Sequence, residues 1–261
     1  MNALTLVTAL TVGIIGGVDS TAATDDAAVC ILADTLPICS GVLVGVRTVL
    51  TAGHCVNPLG SLATYAIGIG PDCSHPRVRI AIAQMQAHPQ YTAMGKPFDL
   101  GLAQLSADAP SSVTPFEVAR LTLDQSAVGQ PIRHLGYGTS QEFPMSGWGT
   151  RRTVSHPVLR LDDDFLWSGD ATHNTCTGDS GGPVLVGDQV IAVVSDGPDC
   201  HSASADQRLD VGLTWLEATR TSWEPAPTPS PAAKTGCTSA PELGPVALAL
   251  VLLRRRGQSR R

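Results

Sequence analysis

Short apolar runs separated by glycine and proline are the feature that most limits how this chain can fold. Charged residues make up only 15% of the 261 residues, whereas 26 are Gly and 19 are Pro. This composition excludes a coiled coil or a helical bundle and predicts many short strands joined by turns. One hairpin can be placed directly, because Val184–Val186 and Val190–Val194 flank the turn-forming pair Gly187-Asp188.

The distribution of charge argues against one class of partner. The formal charge is −6, but five of the 17 basic residues lie in the last eight positions, where there is no acid. The remaining body therefore carries a formal charge of −11. Because a body this acidic repels phosphate backbones, we expect no nucleic-acid partner.

The N-terminal residues differ in composition from the body of the chain. The first 18 residues carry no charged side chain and include the apolar stretch Leu4–Val12. We interpret residues 1–13 as a signal-like segment that directs export, and a first core strand is the alternative.

The C-terminal residues divide into a linker and a tail. Prolines alternate with Ala, Thr and Ser over residues 224–236, which predicts a stiff linker and a globular domain that ends near Trp223. Residues 237–261 form a tail that begins with Cys237 and continues with an apolar run and an arginine cluster. This order resembles the C-terminal sorting tails of secreted myxobacterial proteins, which imply attachment at the cell surface, and a frayed tail is the alternative. The apolar run, Leu243–Leu253, is shorter than the ~20 residues of an ordinary transmembrane helix.

Seven cysteines predict a disulfide framework. An exported chain forms disulfides, and no cysteine pair here has the spacing of a zinc site. Setting aside Cys237 in the tail leaves six cysteines. A disulfide between Cys39 and Cys55 would close the shortest loop and stabilise the fold by about 3 kcal/mol. A disulfide between Cys176 and Cys200 would join the two strands that carry the candidate functional residues. The three pairs are Cys39–Cys55, Cys176–Cys200 and, by elimination, Cys30–Cys73.

Three segments contain residues that together suit nucleophilic catalysis. They are Thr51-Ala52-Gly53-His54-Cys55, Phe98-Asp99-Leu100-Gly101-Leu102 and Cys176-Thr177-Gly178-Asp179-Ser180-Gly181-Gly182-Pro183. A serine hydroxyl is a poor nucleophile near neutral pH, so it needs an adjacent base, and the base needs an acid that fixes its tautomer. Taken singly, the serine motif also fits a surface turn, and His54 also fits a core histidine. Asp72 and Asp108 are rivals of Asp99 for the acid, but neither begins a comparable apolar strand.

The order of these motifs resembles that of the chymotrypsin/trypsin-like serine proteases, over about residues 14–223. The resemblance implies that Ser180 is the nucleophile, His54 the base and Asp99 the acid that orients it, with no cofactor and no metal. It also implies an oxyanion hole formed by the backbone N–H groups of Gly178 and Ser180. Ser195 would support the Asp99 carboxylate.

The same resemblance implies an activation pair. In the family a new N-terminus inserts its ammonium group beside the acid that precedes the nucleophile, and here these residues are Ile14 and Asp179. The residue before Ile14 is Gly13 and not Arg or Lys. Either removal of the signal after Gly13 exposes Ile14, or the match is partly fortuitous.

A primary specificity pocket follows from the resemblance as well. Its floor would be Asn174, with Ser195 and Gly197 on the adjoining strand. Because Asn is neutral, we expect a polar or apolar substrate side chain, unless Asp199 or Asp206 brings an acid into the pocket.

The resemblance implies an all-β architecture of two packed antiparallel β-barrels with a short C-terminal helix. Composition alone would predict only an all-β fold. His54 and Asp99 would come from the first barrel and Ser180 from the second. Val211, Trp215 and Leu216 have helical spacing, which suits the C-terminal helix.

The leading hypothesis is a secreted or cell-surface serine endopeptidase that cleaves protein or peptide substrates through an acyl-enzyme. We expect it to act as a monomer. The main alternative is a catalytically silent homologue that binds a protein partner, and a surface-anchored structural protein rests on the tail alone. Six further histidines lack metal-ligand spacing and are interpreted as structural or exposed: His75, His88, His134, His156, His173 and His201.

Overall fold

The computed structural model of the protein describes residues 14–225, apart from residues 57, 59, 61–62 and 95–96. The signal-like segment 1–13, the linker from residue 226 onward and the tail 237–261 lie outside the described residues. Among the described residues, no helix is long and apolar enough to cross a membrane. In chain order the elements are β1 Val18–Asp19, β2 Ala28–Ala33, β3 Leu36–Leu43, β4 Thr48–Thr51, β5 Tyr65–Ile69, β6 Val78–Ala87, β7 Gly101–Leu105, β8 Glu117–Val118, β9 Pro131–Gly136, β10 Arg152–Leu161, β11 Phe165–Ser168, β12 Pro183–Val186, β13 Gln189–Asp196, β14 Ser204–Arg208 and α1 Leu213–Trp223.

Six strands of the N-terminal half close into an antiparallel barrel. Their order around the barrel is β2-β3-β4-β7-β6-β5. Every residue of β2 is buried, which suits its apolar sequence. The pairing of β4 with β7 sets Leu50 opposite Leu102, and both side chains are fully buried. This barrel is the scaffold that carries His54 and Asp99.

Six strands of the C-terminal half close into a second antiparallel barrel. The order is β9-β10-β11-β14-β13-β12, and the ring closes because β9 pairs with both β10 and β12. β1 extends the sheet beside β10, and β8 runs parallel to β13. Two closed antiparallel barrels with one C-terminal helix confirm the predicted fold class.

The predicted hairpin and helix are present, with one difference. In the hairpin, Leu185 pairs with Val190, and Gly187 occupies the turn with a φ of +59°. The helix α1 includes Trp215 and Leu216, and Leu216 is fully buried. The inclusion of Val211 in the helical pattern was wrong, because the chain turns before the helix, where the Gly212 N–H bonds to the Leu209 carbonyl.

One apolar cluster extends from the first barrel into the second. It includes Leu102 on β7 and Leu100 just before it, Leu135 and Val193 in the second barrel, and Leu216 in α1. Full burial of an aliphatic side chain of this size contributes about 1.5–3 kcal/mol. The shared cluster therefore stabilises the packing of the first barrel against the second.

Three disulfides cross-link the described residues. They are Cys30–Cys73, Cys39–Cys55 and Cys176–Cys200. The second joins β3 to the turn that contains His54. The last joins two loops, one before β12 and one before β14, and not two strands as the sequence suggested. Such cross-links stabilise the fold by about 3 kcal/mol each, mainly because they restrict the unfolded chain.

A buried polar cluster interrupts the core of the second barrel. His134 Nε2 lies 3.0 Å from Asp206 Oδ2, and Ser168 Oγ donates to the same oxygen over 2.8 Å. The His156 ring stacks on that of His134, with centroids 4.7 Å apart. Neither nitrogen of His156 has a hydrogen-bond partner within the described part of the chain. Burial, together with the neighbouring His134, lowers the pKa of His156 to about 3.

We predict that acid destabilises the protein partly through His156. The folded state keeps this ring neutral down to about pH 3, whereas the unfolded chain binds a proton near pH 6.5. Stability is therefore lost as pH falls below 6.5, by up to about 1.4 kcal/mol per pH unit. His156→Phe keeps the stacked ring and removes the titration, so its unfolding free energy should fall less between pH 6.5 and pH 4.5. Equal slopes for both proteins would contradict the prediction.

Candidate active site

His54 and Asp99 lie side by side at one end of the first barrel. His54 lies in the short 3₁₀ turn Gly53–Cys55 after β4, and Asp99 lies just before β7. Because Thr51 of β4 pairs with Gly101 of β7, the end of one strand lies next to the start of the other. The Asp99 carboxylate accepts two hydrogen bonds from His54, from the backbone N to Oδ1 and from Nδ1 to Oδ2, each over 2.8 Å. An ionised carboxylate can only accept, so Nδ1 carries a proton that faces Asp99, and in the neutral ring this tautomer leaves the lone pair on Nε2.

The carboxylate of Asp99 is fully buried, and the second barrel supplies its third hydrogen bond. Ser195 Oγ, on β13, donates to Asp99 Oδ2 over 2.6 Å. Burial raises the pKa of the Asp99 carboxyl. The hydrogen bonds and charge of His54, with the hydrogen bond of Ser195, lower this pKa by more than burial raises it. The net pKa lies below the ordinary value, so Asp99 is ionised at neutral pH.

Ser180 is brought towards His54 by a close contact between the two barrels. The Ser40 N–H on β3 donates to the Ser180 carbonyl over 2.9 Å. The next residue, Gly181, has a φ of +81°, and a Cβ there would overlap Thr51 Oγ1 and the Ser40 carbonyl. Only glycine permits this approach of the loop to the first barrel.

His54 and Ser180 line the same cleft, which has a volume of about 490 Å³. Its walls come from both barrels. The His54 side chain is 27% exposed and lines the cleft. Among the described residues, no hydrogen bond joins Ser180 Oγ to His54. Catalytic contacts of this kind are often long without substrate and shorten in the substrate complex.

Two backbone N–H groups in the loop around Ser180 have no hydrogen-bond partner within the described residues. The amides of Gly178 and Ser180 donate no hydrogen bond to any other described residue, whereas the amide of Asp179 between them bonds to the Cys176 carbonyl. Gly178 has a φ of +97°, which glycine adopts without strain. Ser40 Oγ donates to the Gly178 carbonyl over 2.9 Å and fixes that peptide plane. The two free amides are suited to stabilise a negatively charged oxygen in the cleft.

Asp179 is a second fully buried carboxylate close to the cleft. It accepts hydrogen bonds from the N–H groups of Gly138 and Cys176, each over 2.8 Å. Burial nevertheless raises the pKa of Asp179 to about 6. Ile14 is also fully buried, but in the full chain its nitrogen belongs to a peptide bond and carries no charge. Its φ of +43° is a strained value for a β-branched residue.

The predicted floor residue Asn174 lies beneath the cleft and does not line it. Its Nδ2 donates to the Ser202 carbonyl over 2.5 Å, and its Oδ1 accepts from the Thr175 N–H and from Ser204 Oγ. Thr175 and Ser204 line the cleft above it, and so do Ser195 and Gly197 from the predicted pocket. The base of the pocket therefore presents neutral hydroxyl groups.

The two acids that the sequence offered as alternatives behave differently. Asp206 is buried against His134 and Ser168 and does not line the cleft. Asp199 does line it, although its carboxylate accepts hydrogen bonds from the His201 N–H and Ser202 Oγ of its own loop. Glu142 and Asp196 also line the cleft, which makes its outer part acidic.

Ser40 and Glu142 are among the residues that shape the site and that sequence reasoning missed. Ser40 is fully buried, accepts from the Tyr137 N–H and donates to the Gly178 carbonyl. Its position as a polar residue in an apolar strand was the one available signal. Glu142 lies in a loop without any motif, so no signal in the sequence marks it.

One group near the site has metal-ligand residue types. The potential ligand atoms of Cys39, His54 and Cys55 lie within 4.8 Å of one another. The two sulfur atoms are joined in a disulfide, however, and a metal ligand must be a thiolate. The disulfide-bonded form therefore cannot use these cysteines to hold a metal.

Two closed barrels with a cleft of this composition define the two-barrel class of serine endopeptidases. The family model described as Trypsin matches residues 14–215. This match covers more than half of the chain, so the protein belongs to the trypsin family. Protein or peptide substrates follow from this membership.

Individual relatives agree with the family match at low identity. Serine protease 28 of Mus musculus is 24% identical over 219 residues, which cover 69% of this chain and 76% of the relative. Kallikrein-7 of Homo sapiens is 30% identical over 185 residues, covering 61% and 66%. Trypsin of Saccharopolyspora erythraea is 26% identical over 188 residues, covering 64% and 78%. The protein is a trypsin-like serine endopeptidase.

We predict that Ser195→Ala destabilises the protein by about 1–3 kcal/mol, because it leaves a buried carboxylate with one hydrogen bond fewer. The pKa of Asp99 should rise for the same reason. Urea unfolding at pH 7 measures the stability loss. Ser126→Ala is the matched control, because its hydroxyl also bonds to a carboxylate but at the surface, and it should cost less than about 0.5 kcal/mol. Equal losses in the two variants would contradict the prediction.

Proposed function

We propose that this protein cleaves peptide bonds through an acyl-enzyme in which Ser180 is the nucleophile. His54 acts as general base and then as general acid, and Asp99 orients it. The observation that carries the proposal is the pair of hydrogen bonds between His54 and a fully buried, ionised Asp99 beside a cleft that also contains Ser180. A buried charge of this kind is costly in free energy unless it is paired and hydrogen-bonded, as Asp99 is with His54.

The reaction follows from the positions of the acceptor and donor atoms. His54 Nε2 takes the proton of Ser180 Oγ as this oxygen attacks the substrate carbonyl, and Asp99 stabilises the resulting imidazolium. The negatively charged carbonyl oxygen is received by the free amides of Gly178 and Ser180, each worth about 3–4 kcal/mol to the transition state. His54 then returns the proton to the leaving amine, and water hydrolyses the acyl-enzyme by the same steps.

We infer a preference for a neutral, small or polar side chain in the primary pocket. Asn174 is enclosed beneath Thr175 and Ser204, and all three carry uncharged groups. Ser204 lines the cleft, and its hydroxyl donates to Asn174 Oδ1, so its side chain fills the space next to Asn174. Profiling cleavage of a peptide library measures this preference directly.

The active form of the enzyme is proposed to begin at Ile14. Two observations support this: the strained φ of Ile14 while residue 13 is attached, and the raised pKa of the buried Asp179. Removing residue 13 would relieve the strain, worth about 1–3 kcal/mol, and would create an ammonium group. Placed beside Asp179, that ammonium would supply the counter-charge that the carboxylate lacks.

Export of the enzyme is proposed on the strength of its disulfides. Three disulfides among the described residues fit an oxidising compartment, as does the signal-like segment 1–13. Attachment at the cell surface through the tail 237–261 and a monomeric state remain proposals from the sequence.

We predict that a fluorophosphonate probe labels the correctly processed wild-type protein. Ser180→Ala should abolish labelling because the attacked oxygen is missing, and His54→Ala should slow it by at least about 10³-fold because the base is missing. Ser126→Ala, a serine far from any catalytic motif, should label at the wild-type rate. Folded, processed wild-type protein that does not react would instead favour a catalytically silent binding module.

We predict a pH-dependent stability difference between the chain that begins at Ile14 and the chain that retains residues 1–13. In the longer chain the pKa of Asp179 rises from 3.8 to about 6 on folding, so stability is lost as pH rises through this range. The shorter chain should be more stable by about 1–3 kcal/mol at pH 7, and the Asp179 part of this gain should vanish below pH 4. Thermal unfolding at the two pH values measures it, with Asp179→Asn as control. A difference that does not depend on pH would exclude the pairing.

A further inference from the structure

The residue before Asp99 has an unfavourable backbone conformation. Phe98 has a φ of +52°, in the left-handed region that aromatic residues rarely adopt. Its carbonyl accepts a hydrogen bond from the Leu100 N–H over 2.6 Å, so the chain turns sharply around Asp99. Such a conformation persists only where the surrounding structure enforces it. The contacts that enforce it here therefore also determine where the Asp99 carboxylate lies.

A side chain from the second barrel holds the backbone of Asp99. Gln207 on β14 accepts a hydrogen bond from the Asp99 N–H through Oε1, over 2.8 Å. Its Nε2 donates to the Asp164 carbonyl over 2.9 Å and to the Arg208 carbonyl over 3.3 Å. Gln207 is completely buried, and its amide is held at both ends. Gln207 thus links Asp99 to the backbone of the opposite barrel.

Aromatic contacts also hold Phe98 in place. The Phe98 ring stacks on His88, with centroids 4.7 Å apart and planes 8° apart. The Trp215 ring of α1 contacts the His88 ring edge to face, with the two ring centroids 4.9 Å apart and the planes at 73°. These rings pack beside the turn. Among the described residues, none of the three rings bonds to the Asp99 carboxylate. Gln207 is the side chain that bonds to the Asp99 backbone directly.

We propose that Gln207 is a positioning residue for the reaction, because it fixes the Asp99 backbone so that its carboxylate meets His54 and Ser195 together. This inference rests on the proposed function. Asp99 has to satisfy the His54 backbone, the His54 ring and the Ser195 hydroxyl at once, all within 2.6–2.8 Å. A displacement of about 1 Å at such a group can cost about 10²-fold in rate, although the displaced residue is far from the substrate.

The first test compares kcat and KM for Gln207→Met and the wild type. Met has nearly the same volume but no acceptor oxygen, so the Asp99 N–H loses its partner. We expect kcat to fall by about 10–100-fold. KM should stay within about twofold, because Gln207 does not line the cleft. If the wild type is active and Gln207→Met has the same kcat, the inference is overturned and the proposed function stands. An inactive wild type would overturn both.

A double-mutant cycle separates positioning from a general loss of structure. In the Asp99→Ala background, where kcat is expected to be about 10⁴-fold lower, Gln207→Met should cause little further loss because the group it positions is gone. A purely structural effect would reduce kcat by the same factor in both backgrounds, and that result would overturn the inference.

A matched control and a second variant protect the test against unfolding. Thr48→Val removes another hydrogen bond of a fully buried side chain, from Oγ1 to the half-buried Glu224 at 2.6 Å, and should lower the unfolding midpoint without changing kcat. If Gln207→Met does not fold, Gln207→Asn keeps the carboxamide but places it one methylene too short to reach the Asp99 N–H. It should show the same fall in kcat, and a wild-type kcat in folded Gln207→Asn would overturn the inference.

Discussion

The burial of one charged carboxylate is the constraint on which the rest of this structure depends. Asp99 is shielded completely from water, and an uncompensated charge there would cost several kcal/mol. Its oxygens are satisfied by two groups of His54 in the first barrel and by Ser195 in the second. Both barrels must therefore form and pack correctly before this carboxylate is stable. The same packing creates the cleft.

A second set of contacts ties the loop of Ser180 to the first barrel. Ser40 bonds to the carbonyls of Ser180 and Gly178, and Gly181 permits the close approach. The base and acid are thus held on one barrel, whereas the loop with Ser180 is held against it by backbone contacts. The carbonyls of Gly178 and Ser180, and not their N–H groups, make the contacts that fix the loop, which leaves both N–H groups without a partner in the described part of the chain.

Much of the architecture was predictable from local patterns. The hairpin around Gly187 follows from two apolar runs and a turn, whereas the two-barrel class was implied by the resemblance to the chymotrypsin/trypsin-like family and not by local patterns. Local patterns failed where a residue's surroundings come from distant parts of the chain. Asn174 was expected to line the pocket, yet Ser204, 30 residues later, covers it. Asp206 was offered as a pocket acid, but its place on β14 directs it to His134 on the other side of the barrel wall.

The sequence by itself determined the residue types of the site, the order of its motifs and the all-β class, because these depend on composition and on short-range spacing. Only the tertiary structure decided which polar groups meet in the interior. Ser40 and Gln207 reach the site from strands far apart in the chain, and no motif in the sequence marks either of them, whereas Ser195 was expected at Asp99 only through the family resemblance. Their roles depend on the packing of one barrel against the other, since a hydrogen bond to a buried group forms only when two distant strands are brought within about 3 Å.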